Sequence, residues 1–222
     1  MMKSLFAFLL AFSALHADPA KWEKDIARFE EKDKKSPPPK DGLLFVGSSS
    51  IRLWDLEGSF PGMKIINRGF GGSEIEDSTF YAKRIIIPHK PKVVFLYAGD
   101  NDIGRGKSAE RVVADYQKFV KTVHAGLPET KIVFIFIKPS LARWKKWQQM
   151  DRANQAIVAL TKKNPLLDYL DTATPILGKD GKPVPAYLRK DGLHLTKEGY
   201  AVWNKVVLDW LKAKGFATPS GE

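Results

Sequence analysis

The 222-residue sequence contains no cysteine, and that absence removes several chemistries at once. Disulfide scaffolds, thiolate nucleophiles and cysteine metal sites are excluded, so stability has to come from packing. Long apolar stretches are scarce as well. The most hydrophobic one, residues 5–15 in "MMKSLFAFLLAFSALHADPA", is too short to span a bilayer. One lysine before it and small residues ending at Ala17 give it the form of a secretory signal. Cleavage is expected near Ala17, with export to the periplasm or beyond; a retained anchor is the alternative. No other stretch is apolar enough to cross a membrane. Internal repeats are absent, and so is the G-x-x-x-x-G-K-[ST] pattern of a phosphate loop.

Charge is plentiful and basic. Lys and Arg number 36 against 25 Asp and Glu, a formal net charge of +11. A basic exported protein favours anionic polymers, acidic glycans or anionic lipid. In "KWEKDIARFEEKDKK" (residues 21–35), however, lysines alternate with acids. That pattern reads as a solvated helix with i,i+4 pairs, so no nucleic-acid partner is expected.

Residues 36–40, "SPPPK", form a stiff linker that no helix or central strand would contain. Beyond it, apolar runs alternate with helical patterns. The runs lie at 43–47, 64–69, 92–99, 131–137 and 166–171, and the middle ones are continuously apolar, as in parallel strands covered on both faces. Helical spacing marks 73–86, 109–127, 146–163 and 196–214. The expected fold class is α/β: a doubly wound, three-layer α/β/α sandwich around a five-stranded parallel sheet. The expected layout is a signal over 1–17, a charged helix and linker over 18–41, one domain over 42–214 and a flexible tail over 215–222.

In such a fold ligands bind outside the carboxyl ends of the strands. After the first strand stand Ser48, Ser49 and Ser50. Each suits a helix cap or a nucleophile, and the local sequence does not choose between them. A nucleophilic serine needs a base, and histidine is the natural one near neutral pH. His16 falls in the signal, His89 at the wrong end of the sheet, and His124 in the last turn of a helix. His194 remains, on the correct face, with Asp191 three residues before it to hold the ring. After the second strand, Gly69, Gly71 and Gly72 let backbone N–H groups approach a ligand; after the third, Asn101 offers an amide.

Taken in order, these blocks resemble the GDSL/SGNH hydrolase superfamily, from about Leu43 to Leu211. In that register Ser49 matches the nucleophile, Gly72 the oxyanion glycine, and Gly99, Asn101 and Asp102 the G-x-N-D block. Asp191 and His194 match the D-x-x-H block. One departure is that Ser48 and Ser50 replace the usual Asp and Leu on either side. The resemblance implies a flavodoxin-like fold and ester hydrolysis through an acyl-enzyme, with catalytic Ser49, Asp191 and His194. The oxyanion hole would be built from the Ser49 and Gly72 N–H groups and the Asn101 amide, with no cofactor or metal.

The segment after the fourth strand, "KPSLARWKKWQQM", carries Arg143, Trp144 and Trp147 toward the same face. Indoles there suit stacking on a sugar, a lipid interface or packing of the following helix, and Arg143 and Trp144 are expected to bind substrate. The absence of a long lid favours a small acyl group, such as acetyl, on a carbohydrate, with a lysophospholipase or general carboxylesterase as runner-up. Two other classes compete. A metal-dependent hydrolase would draw on Asp100, Asp102, Asp191 and His194, a poor ligand set for a transition metal. A glycan-binding domain would keep the fold without the chemistry.

Overall fold

The computed structural model describes residues 19–216, so the expected signal and residues 217–222 lie outside the described part. Five parallel strands form one sheet in the order β2-β1-β3-β4-β5: β1 (Leu43–Gly47), β2 (Ile65–Gly69), β3 (Val93–Tyr97), β4 (Lys131–Ile135) and β5 (Leu167–Leu170). Each expected strand is present. The apolar runs at the third, fourth and fifth extend one or two residues past the strands, and Phe136, just beyond β4, still donates to the Leu170 carbonyl at 3.0 Å.

Alternation along the strands divides the core into two layers. Leu44, Val46, Val94, Leu96, Ile132 and Phe134 point one way. They meet α1 (Glu23–Lys35), α4 (Ile75–Phe80), α5 (Ala82–Ile85), α7 (Ala109–Gly126) and α8 (Trp147–Thr161). Phe45, Phe95, Tyr97, Val133 and Ile135 point the other way, against α2 (Ser49–Arg52), α3 (Leu56–Ser59) and α9 (Lys197–Ala213). The remaining short helix, α6 (Asp100–Gly104), follows β3. In α7 the buried Val112, Tyr116, Phe119 and Val123 recur every three or four residues, the stripe a surface helix lays on a sheet.

Two elements depart from simple periodicity. The pattern over 73–86 suggests one helix, but the chain breaks at Tyr81 (φ −87°, ψ 1°) into α4 and α5. The break lets the Tyr81 ring sink edge-on against Phe70 while its hydroxyl reaches Glu23 at 3.3 Å. The charged N-terminal helix is no free arm either. Ile26 of α1 is fully buried, and Arg84 donates to both Glu23 and Glu30 at 2.7–2.8 Å. Farther along α1, Asp33 takes two hydrogen bonds from the buried Arg68 at 2.6 and 2.7 Å, beside His89. At the other end Phe216 stacks on Trp210.

Candidate active site

The three serines are told apart by burial. Gly47 ends β1 at φ +136°, where a Cβ would lie 1.9 Å from the Tyr97 carbonyl oxygen, so only glycine lets the chain leave the sheet here. Ser48 and Ser50 turn inward and are buried, while Ser49, first residue of α2, is half-exposed. Ser48, like its two neighbours, suited a helix cap. Its hydroxyl makes no capping bond, and it is the Ser48 carbonyl that accepts the N–H groups of Ile51 and Arg52. Tyr200 of α9 donates to the Ser50 carbonyl at 2.8 Å and ties α2 down.

Across from Ser49 lies the loop before α9. His194 Nε2 sits 2.9 Å from Ser49 Oγ, and His194 Nδ1 sits 2.6 Å from Asp191 Oδ2. The loop is closed from inside. Asp191 Oδ1 accepts the backbone N–H groups of Leu193 and His194 at 2.9 and 3.0 Å, and Gly192 takes φ +64°. These bonds, the His194 ring first among them, hold the Asp191 carboxyl well below the usual carboxylate range. An ionised carboxylate on Nδ1 selects the tautomer with its proton there, which leaves Nε2 free to accept from Ser49 Oγ.

The side expected to hold an oxyanion is assembled from the ends of β2 and β3. Among the described residues neither the Ser49 nor the Gly72 backbone N–H donates to a protein acceptor. Gly72 has φ +79°, and a Cβ on it would press against the Trp22 ring at 3.3 Å. Asn101, near the start of α6, is oriented at both ends of its amide: Nδ2 donates to the Ser73 carbonyl at 3.0 Å, and Oδ1 accepts from Arg143 at 2.9 Å. The second N–H of Nδ2 is then available to the cavity.

Arg143 therefore does not stand where substrate binding was expected of it. Its guanidinium lies against Asn101 and, at 3.1 Å, against the buried carboxylate of Asp100. Asp100 is also 3.6 Å from the buried ammonium of Lys138, whose burial pushes its pKa down. Lys138 in turn donates to the Tyr97 hydroxyl at 3.3 Å. Trp144, the other residue expected to touch substrate, stacks on Trp147 at the start of α8 and does not line the cavity. Its indole packs the helix end instead.

The cavity itself is open and measures about 360 Å³. Ser49, His194, Gly72 and Asn101 line it, with Gly71 and Leu193. Two charged residues that the motifs do not mark complete the wall: Arg52 on α2 and Asp25 on α1. Arg52 was within reach of sequence reasoning, since it follows Ser49 by three residues on one helix. Asp25 was not, because only the docking of α1 brings it here. Asp102, the last residue of the G-x-N-D block, points away, 3.4 Å from Lys107 and with one oxygen accepting from the Ile75 N–H. Among the described residues no three His, Asp or Glu side chains converge as metal ligands.

A family model described as "GDSL-like Lipase/Acylhydrolase family" matches residues 52–202, more than half of the chain. The match begins just after Ser49, so the serine's place rests on the geometry above. No protein with a curated description matches. Among solved structures, one provisionally described as a platelet activating factor from Streptococcus pneumonia aligns with TM-score 0.77 at 22% identity, covering 86% of this chain and 93% of that one. A GDSL-like lipase from Bacteroides thetaiotaomicron aligns with TM-score 0.70 at 18% identity, over 89% and 98%. A catalytic mutant of Axe2, an acetylxylan esterase from Geobacillus stearothermophilus, aligns with TM-score 0.65 at 16% identity, over 81% and 96%. At these identities the likeness is one of fold.

Proposed function

The chain belongs to the GDSL-like lipase/acylhydrolase family, and from that premise we propose that it is an exported serine esterase removing short acyl groups, acetyl first, from carbohydrate. The observation that carries this reading is the unbroken chain Ser49–His194–Asp191, at 2.9 and 2.6 Å, opening on a cavity with free backbone N–H groups. Ser49 Oγ attacks the ester carbonyl and passes its proton to His194 Nε2, while Asp191 stabilises the imidazolium. The Ser49 and Gly72 N–H groups and Asn101 Nδ2 take the oxyanion, donors commonly worth about 3 kcal/mol each. The imidazolium returns the proton to the departing alcohol, leaving an acyl-enzyme. Water, activated by the same histidine, then releases the acid.

The substrate class follows from the cavity wall. Of its lining residues only Leu193 carries an aliphatic side chain; the rest are polar, charged or glycine. Such a wall gives a long acyl chain little to pack against, and it suits an alcohol rich in hydroxyls. The acetylxylan esterase among the structural neighbours supports the same direction.

The test is hydrolysis of p-nitrophenyl acetate and octanoate, beside Ser49→Ala and His194→Ala. Acetate is expected to be preferred, and each variant to lose about a thousandfold or more in kcat. Preference for octanoate would move the assignment to a lysophospholipase or general carboxylesterase.

A further inference from the structure

Arg52 carries the one charge in the cavity wall with no counterpart. Its side chain is exposed and, among the described residues, enters no hydrogen bond or ion pair. The neighbouring charges are answered: Asp25 faces Arg28 at 3.4 Å, Asp191 holds His194, and Arg105 beside Gly72 is fixed by Glu74 at 2.7 Å and the Gly72 carbonyl at 2.9 Å. Residues three apart on a helix place their Cβ atoms about 5–6 Å from one another, so Arg52 flanks Ser49 directly.

Nor does the guanidinium wave in solvent. It lies against Gly71, where a Cβ would meet Nε at 2.8 Å and Cζ and Nη2 at 3.2 Å. Gly71 is not among the glycines with positive φ, so the backbone does not demand glycine there. What Gly71 supplies is room for the Arg52 head group.

We propose that Arg52 binds a carboxylate on the alcohol half of the ester, so that the preferred substrates are acylated acidic sugars. This rests on the reading of Ser49 as the nucleophile. A guanidinium presents a planar fork that pairs with a carboxylate through two parallel hydrogen bonds. The excess of basic residues, +11 over the chain, also draws polyanionic glycans toward the protein. The ester carbonyl then sits over Ser49 while the carboxylate of the same sugar, a few bonds away, lies on Arg52.

The experiment compares three matched substrates on the full protein: a mono-O-acetylated methyl glucuronoside, the methyl ester of its carboxyl group, and the corresponding acetylated sugar phosphate. The acid is expected to exceed its methyl ester by about tenfold in kcat/KM, mostly through KM, the size of a charge-assisted contact. Added salt shrinks that ratio. Arg52→Gln brings the ratio near one, and Gly71→Ala lowers it by pushing the guanidinium aside with its charge intact. A ratio near one in the native protein, or one unchanged by Arg52→Gln, overturns the proposal. Preference for the phosphate overturns the carboxylate assignment. Acetate release from the methyl ester by the native protein, lost in Ser49→Ala, shows that such a failure is of Arg52 alone; if Ser49→Ala retains it, the esterase reading fails and the proposal with it.

Discussion

An amide stabilises an oxyanion through its nitrogen and repels it through its oxygen, so the orientation of Asn101 decides whether it helps or hinders. Arg143 fixes that orientation by donating to Oδ1, with Asp100 bracing the guanidinium from behind. Arg143→Ala is therefore expected to lower kcat about a hundredfold, as loss of an oxyanion donor does, with KM little changed. Steady-state kinetics on p-nitrophenyl acetate check this; a raised KM at unchanged kcat would return Arg143 to substrate binding. Asp102 gives a second prediction. Burial pushes its carboxyl up to about 7 from an ordinary 3.8, against the pull of Lys107. The folded chain then keeps a proton between those values that the unfolded chain has released, so this group's contribution to stability falls as pH rises from about 4 to 7. Urea midpoints across that range should decline less in Asp102→Asn than in the native protein. At this scale the sequence was partly legible. His194 follows by elimination, because His16 falls in the expected signal, His89 precedes β3 and His124 lies in the last turn of α7. Ser49 does not, since three adjacent serines differ only in which way the turn points them. Arg143 was picked out for its proximity, but spacing does not say what a long side chain reaches.

The helices show a similar division between pattern and context. The stripe of α7 is written in its periodicity, and the Ser108 side chain caps its start by accepting the Arg111 N–H. Helix α1 packs Ile26 and Phe29 against the core, but the rest of its hold on the domain comes from ion pairs with residues 35 to 61 positions away. Such pairs leave no local mark in a sequence that is charged throughout. The break at Tyr81 is equally illegible, since it exists to let one ring reach Phe70. Because Arg68 is buried and Asp33 carries its charge, Asp33→Ala strands a buried cation. That change is expected to cost roughly 3 kcal/mol in urea unfolding, more than an exposed pair would. A loss below about 1 kcal/mol, the range of exposed pairs, would mean that α1 is only loosely held.

For the molecule as a whole, the sheet order β2-β1-β3-β4-β5 explains why residues so far apart in sequence meet. All strands are parallel, so each ends on the same edge, and the turns after β1, β2 and β3 deliver Ser49, Gly72 and Asn101 to one crevice. Five apolar runs alternating with helical stretches made that edge legible from sequence, since a parallel sheet leaves no other place for the turns. The width of the crevice was not legible, because one wall is α1 and another is the paired Asp191–His194 loop. The central claim is that Ser49 is the nucleophile. Its most direct test is labelling with a fluorophosphonate followed by peptide mass spectrometry on the native protein and on His194→Ala. One adduct is expected, on Ser49, lost when His194 is replaced. An adduct on Ser48 or Ser50, or no adduct on a protein that still hydrolyses esters, would contradict it.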